Sequence, residues 1–214
     1  MKLSRLMPFK RNRKQHWERV YNKNETEELG WYQNYPEMSL KLIAATGVGV
    51  HGNIIDIGGG TSKLAGILLD QGYRRLTVLD ISGSSIEKAK LQLGEKSKQI
   101  RWIEADVTQF DFTERFDIWH DRAVFHFLTD PVDRRKYVDS LNQALKPGGH
   151  LIISTFGLKG PPKCSGVNVV RYSAETLHNE FGSTFVMIES YDEVHNTPSN
   201  VQQNFVYCRF IKKT

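Results

Sequence analysis

Three consecutive glycines, Gly58, Gly59 and Gly60, follow an apolar run in "NIIDIGGGTS", and an acid, Asp80, closes the next apolar run in "RLTVLDIS". Glycines at a strand-to-helix turn reach backbone angles closed to other residues and let a ligand approach the main chain. A carboxylate at the end of the following strand can accept two hydrogen bonds from adjacent ribose hydroxyls. Such a pair suits either a nicotinamide dinucleotide or S-adenosylmethionine. The dinucleotide fingerprint needs G-x-G-x-x-G, because the pyrophosphate sits on the helix N-terminus. Counted from Gly58 its third glycine falls on Lys63, and counted from Gly59 its second falls on Thr61. The phosphate fingerprint fails. Further along, Asp106 ends a third apolar run, and "WHDRAVFHF" offers His120, Asp121 and His126 as groups that could hold or move a proton.

These residues need a scaffold, and the hydrophobic pattern supplies one. Short apolar strands are expected at 53–57, 75–81, 100–106, 116–121 and 150–156. Helices are expected at 62–72, with Leu64, Ile67 and Leu68 on one face, and at 84–94, with serine caps and Gly94 at its end. Another should run over 133–145, stopped by "KPGG". Strands alternating with helices imply right-handed crossovers and a parallel sheet covered on both faces. The end differs: a helix at 173–181 precedes strands at 185–193 and 201–211, whose connection is too short for a helix. They should pair as an antiparallel hairpin.

Bulk properties fit one domain. The chain has 214 residues, 39% hydrophobic and 25% charged, with a net charge of +5. Lys2, Arg5, Lys10, Arg11, Arg13 and Lys14 all precede the first acid, Glu18, so 1–14 is expected to be a basic, mobile arm. The remainder, 15–214, should be one domain, with 15–50 as a helical cap carrying Trp17, Tyr21, Trp31, Tyr32 and Tyr35. No run of about 18 apolar residues could span a membrane. Two cysteines, Cys164 and Cys208, make neither a disulfide framework nor a zinc pattern, so no metal is expected and a reducing, cytoplasmic setting is. The arm is too irregular to read bases, and no N/D-P-P-Y/F run follows the fourth strand, so nucleic acid is not an expected partner.

"DIGGGTS", "VLDIS", "EADVTQF", "FDIWHD" and "LKPGGHLIIST" resemble, in order and spacing, the successive motifs of class I S-adenosylmethionine-dependent methyltransferases, and the terminal hairpin resembles that family's reversed last strand. The resemblance implies a Rossmann-like, mostly parallel seven-stranded sheet, doubly wound, with an antiparallel C-terminal hairpin. One departure stands out: the family's usual third glycine is Ser62. That serine and the aromatic segment at 16–38 resemble elongation-factor lysine methyltransferases.

The resemblance also implies roles. Asp56 would order the loop and approach the methionyl amino group, with Gly58, Gly59, Gly60 and Ser62 passing beside the methionine and ribose. Asp80 would hold the ribose, with Ile81 packed on the adenine. Asp106 would take the adenine amino group, beside the Val107 amide. Trp31 belongs to the lid over the methionine end. His120 and Asp121 would stand closest to the transferred methyl; His126, a third catalytic candidate by its place in the sequence, sits among Phe125, Phe127 and Leu128 and reads first as a packed structural histidine.

Tyr32, Cys164 and His195 are candidates for the acceptor. A soft thiol, selenium or arsenic site drawn from Cys164, Cys208, His195 and His126 competes with ordinary burial, which the alternation of Cys208 with Val206 and Phe210 favours. The insertion at 157–173, stiffened by Pro161 and Pro162 and hinged by Gly157, Gly160 and Gly166, reads as a lid over a small pocket. The expected acceptor is therefore a small-molecule nucleophile, with a protein lysine as the alternative. A nicotinamide oxidoreductase and a non-catalytic cofactor-binding scaffold are the readings from other classes.

Overall fold

The computed structural model describes residues 13–214. The elements run α1 (Arg13–Lys23), α2 (Glu37–Ala45), β1 (Asn53–Ile57), α3 (Leu64–Asp70), β2 (Arg75–Asp80), α4 (Gly83–Leu93), β3 (Ile100–Glu104) and β4 (Phe116–Arg122). There follow α5 (Pro131–Ala144), β5 (Leu145–Phe156), the short hairpin β6 (Lys163–Cys164) and β7 (Val167–Asn168), α6 (Ala174–Phe181), β8 (Phe185–Asn196) and β9 (Gln202–Lys212). A seven-stranded sheet has the order β3-β2-β1-β4-β5-β9-β8. Its first five strands are parallel, and β9 runs antiparallel to both neighbours. The doubly wound sheet with its closing hairpin is as the hydrophobic pattern requires.

Local chemistry sets the helix ends. The Ser82 hydroxyl accepts from the Ser85 amide to open α4, and Gly94 at φ +55° closes it. Asp130 caps α5 with Pro131 in its first turn. Three expectations need correction. Residues 15–50 are broken into α1, a short 3-10 turn, an irregular stretch and α2, because Pro36 and Gly30 interrupt the pattern. Ile67 is only half-buried, whereas Ala65 and Leu69 are buried: this short helix is wrapped by core on more than one face. "KPGG" lies inside β5, where the Lys146 ammonium holds Asp117 at 2.8 Å. Of the basic arm, 1–12 lie outside the described residues, while Arg13 and Lys14 open α1.

Successive strand side chains point to opposite faces of the sheet. One face packs Ile55, Ile57, Trp119, Leu151 and Ile153 against α5 and α6, and the other packs Ile54, Ile118 and Ile152 against α2 and α3. That alternation decides where the titratable residues of β4 go. Among the described residues no helix is long and apolar enough to cross a membrane.

Candidate active site

A cleft of about 840 Å³, its open mouth included, lies over the carboxyl ends of the parallel strands, where ligands of such sheets sit. A second hollow of about 550 Å³ adjoins it, and Tyr21, Trp31, Ile57, Gly58 and Arg122 line both. Three acids approach the cleft from β1, β2 and the turn after β3. These neighbours are spaced about 4.8 Å apart, so the acids form a row along it.

Each acid has its own surroundings. The Asp56 carboxylate contacts His120 Nδ1 through Oδ1 at 2.7 Å, while its Oδ2 is buried without a partner. The buried Asp80 accepts from the Ser82 amide at 2.9 Å; removal from water pushes its carboxyl up to about 7, against the pull of that hydrogen bond. Asp106 accepts from the Thr108 amide at 2.9 Å, and its other oxygen lies 3.8 Å from Arg13. The glycine turn makes room for these oxygens. A Cβ on Gly59 would lie 2.6 Å from Asp56 Oδ2, and one on Gly60 would lie 2.7 Å from Asp80 Oδ2. Gly58 stands at φ +64°, and a Cβ there would fall 2.1 Å from the Val124 side chain. Gly58→Ala should therefore cost about 1–2 kcal/mol from the left-handed backbone alone, read as a lower urea midpoint.

Residues 13–36 cover the cleft. Arg13 reaches Asp133 at 2.8 Å, and the Glu18 carboxylate accepts from the Gly83 and Ser84 amides at the start of α4. Trp17 meets Trp31 and Phe127 edge-on, with centroids 5.7 and 4.8 Å apart. Lys63 stands over the Tyr32 ring.

The structure brings Gly58, Asp80, Ile81, Asp106, Val107, Trp31 and Cys164 to the cleft, with Asp56, Gly59, Ser62, Tyr32 and His120 on the adjoining hollow. His120 is held at both ring nitrogens, by Asp56 and by Ser39 Oγ at 2.9 Å, and is a brace for Asp56. Two candidates for catalysis are turned away. Asp121 faces the α5 side with Trp119, where it takes the Tyr137 hydroxyl at 2.6 Å and the Val124 amide at 2.9 Å, and burial raises its carboxyl to about 6. His126 is fully buried between Phe127 and Phe156; its Nδ1 contacts the Phe156 amide, and burial lowers it to about 3, so it stays neutral.

His195 is likewise displaced: it contacts the Gly30 carbonyl and borders a separate hollow. Nor is there a soft-ligand cluster of Cys164, Cys208, His195 and His126. Cys208 lies in the core facing α5 and α6, across the sheet from Cys164, whose thiol burial pushes up to about 11.

Other lining residues went unrecognised in the sequence: Arg122, Phe127, Phe156, Gln203 and Phe205. Arg122 carried a signal, being two residues from His120 and so on its face of the sheet. Gln203 and Phe205 carried none, because they reach the site only through the antiparallel pairing that sets Phe205 beside Phe156. The arrangement can hold a cation at Asp56, a diol at Asp80 and an amine at Asp106. Its far arm is aromatic, and beyond Asp80 and Asp106 the cleft is lined, among the described residues, by no carboxylate and by no histidine.

Comparison with known proteins bears on the family and the fold. Residues 54–149 match the family described as "Methyltransferase domain". The chain is 30% identical over 141 residues to nodulation protein S of Sinorhizobium fredii (strain NBRC 101917 / NGR234), covering 66% of this chain and 62% of that one. It spans between about a third and two thirds of the length of the curated relatives it matches first.

Two solved structures share the fold. The N-methyltransferase NodS of Bradyrhizobium japonicum WM9, in complex with S-adenosylhomocysteine, superposes with a TM-score of 0.68 at 20% identity, covering 92% of this chain and 98% of that chain. The 1,6-didemethyltoxoflavin-N1-methyltransferase of Burkholderia thailandensis gives 0.73 at 17% identity, covering 100% and 94%.

Proposed function

The chain belongs to the class I S-adenosylmethionine-dependent methyltransferases, and from that premise we propose that it transfers a methyl group from S-adenosylmethionine to a small-molecule nucleophile. The residues fit the cofactor. The unpartnered, buried Asp56 Oδ2 suits the α-ammonium, and it is the observation that carries the assignment. Asp80 suits the two ribose hydroxyls, Ile81 and Val107 flank the adenine, and Asp106 accepts from its amino group. The glycine turn provides a cradle that any Cβ would fill.

When bound, the cofactor supplies an already activated methyl on a cationic sulfonium. The chain's own part is then positioning, and alignment of two reactants supplies roughly 7–11 kcal/mol in well-oriented systems. Ile57, Gly58 and Arg122 set the junction where the methyl passes, Trp17 and Trp31 roof it against water, and the aromatic arm aligns the acceptor. No step is assigned to Asp121 or His126, which stand outside the cleft.

A small acceptor is supported by the compact arm between Phe127, Phe156 and Phe205, closed by Cys164 of the 157–173 insertion. The NodS and toxoflavin relatives are named as N-methyltransferases, and the latter holds a small heterocycle. A protein-lysine acceptor is the second reading, favoured by the likeness of 16–38 and Ser62 to elongation-factor lysine methyltransferases. Both free cysteines are compatible with a reducing, cytoplasmic setting.

Calorimetry should show binding of S-adenosylhomocysteine, with none of NAD or NADP. Methyl label from S-adenosylmethionine should enter the small-molecule fraction of a cell extract. Tight dinucleotide binding without a response to S-adenosylhomocysteine would overturn the activity, and label confined to protein lysines would overturn the acceptor.

A further inference from the structure

Arg122 ends β4 where the two arms of the cleft join, and its guanidinium is fixed on three sides. Nε donates to the Tyr207 hydroxyl at 2.9 Å, one terminal nitrogen donates to the Trp31 carbonyl at 2.8 Å, and the plane lies over the Phe205 ring at 4.8 Å. The other terminal nitrogen is buried and has no partner. An always-protonated group with one buried nitrogen wholly unpartnered points to a missing acceptor of hydrogen bonds.

The acids nearby hold other partners, with only Asp56 Oδ2 among their oxygens left buried and free. Asp106 has Arg13, Asp56 has His120, and Asp80 has the Ser82 amide. Glu193, opposite Phe205 on β8, also has a buried unpartnered oxygen, but it does not line the cleft. Among the described residues none pairs with Arg122 at ion-pair distance.

We propose that the methyl acceptor is a compact anion, with its negative atom on Arg122 and its apolar body between Phe127, Phe156 and Phe205. The inference rests on the methyltransferase reading above. A sulfonium and a guanidinium facing one junction repel each other at low dielectric unless an anion separates them. The cofactor's own carboxylate is the competing occupant. Arg122 stands on β4 beside β1 and shares a hollow with Asp56, but its anchors Tyr207 and Phe205 on β9 draw the guanidinium toward the aromatic arm, and the effect of Arg122→Gln on S-adenosylhomocysteine affinity separates the two occupants.

The absence of a base in this arm points the same way. An anionic nucleophile arrives with its pair exposed, as an arenethiolate or a carboxylate does. Its attacking atom forms the new bond to the methyl carbon as the carbon–sulfur bond breaks. That bonding pair remains on sulfur, and no proton is taken up or released.

The test uses the full chain saturated with S-adenosylhomocysteine and four probes: 4-nitrobenzenethiolate, benzoate, and the neutral 4-nitroaniline and benzamide. At neutral pH the wild type should bind at least one anion about tenfold more tightly than its neutral counterpart. Whichever anion binds tells thiolate from carboxylate, and with S-adenosylmethionine it should yield the methyl thioether or ester. Arg122→Gln should abolish the preference while leaving S-adenosylhomocysteine affinity within about threefold, and Arg122→Lys should restore part of it.

Tyr207→Phe, which loosens the guanidinium without removing its charge, should weaken anion binding less than Arg122→Gln. It serves as the second variant should Arg122→Gln fail to fold. No preference for the anions, or loss of S-adenosylhomocysteine affinity together with anion affinity, overturns this inference alone. Failure of the wild type to bind S-adenosylhomocysteine overturns the activity beneath it.

Discussion

The Asp80→Ala protein should bind S-adenosylhomocysteine on the order of 10- to 100-fold more weakly than the wild type, because a charged acceptor of two hydroxyls contributes about 1.5–3 kcal/mol. Calorimetry on folded variant measures it, and unchanged affinity would remove Asp80 from the ribose. The same carboxyl gives a pH signature. Burial holds it at about 7 in the free protein, against an ordinary value of 3.8.

Only the carboxylate accepts from both hydroxyls. Affinity should be full above pH 7 and fall as pH drops through 7, by up to about tenfold per unit. Stability of the free protein should move the other way. The folded state holds this proton more tightly than the unfolded chain, so the contribution is fully present below about pH 4 and is lost as pH rises through 7. Asp80→Asn should flatten both profiles, and a wild-type affinity independent of pH between 5.5 and 8 contradicts the assignment.

Asp121→Ala should unfold the protein far more readily. Trp119 Nε1 donates to the Tyr137 hydroxyl at 2.8 Å, and that hydroxyl donates to Asp121, whose other oxygen takes the Val124 amide. Removing the carboxylate strands a buried hydroxyl and an amide, each at about 1–3 kcal/mol. The total of roughly 2–6 kcal/mol lowers the melting temperature by about 4–24 °C in a chain of this size.

Tyr137→Phe strands the Trp119 Nε1–H and one oxygen of Asp121 and should cost a comparable amount. Any loss of turnover in Asp121→Ala should track the unfolded fraction. A variant with unchanged melting and several hundredfold slower turnover would return Asp121 to the reaction.

The fate of β4 shows how far the sequence could be read. "FDIWHD" announced a strand, and alternation along it was already visible in Ile118 and Trp119. The same alternation places His120 and Asp121 on opposite faces, so both could not attend one ligand. Which face carried the site depended on packing: Trp119 meets Tyr137 of α5, while His120 meets Ser39 of α2. The resemblance assigned both residues to the methyl because it matched positions in a motif and not the direction of side chains.

The N-terminal cap behaved similarly. Trp17, Tyr21 and Trp31 were legible as aromatic anchors, yet the meeting of Trp17 with Phe127 joins segments far apart in the chain.

By itself the sequence determined the fold class and the row of residues proposed to hold the cofactor. Asp56, Gly58, Asp80 and Asp106 each stand at or next to a strand end in consecutive strand–turn units, and parallel pairing of β1, β2 and β3 sets them side by side in the order they are written. Local periodicity and turn chemistry suffice for that. Tertiary structure alone decided the arm proposed for the acceptor. Its wall is gathered from Trp17, Arg122, Phe156, Cys164 and Phe205 by the sheet order and by the reversal of β9, which brings the start of the last strand to the same edge as the end of β5. The direction of a strand and the face a side chain takes are fixed by which neighbours bury it, and that is settled only when the whole sheet has closed.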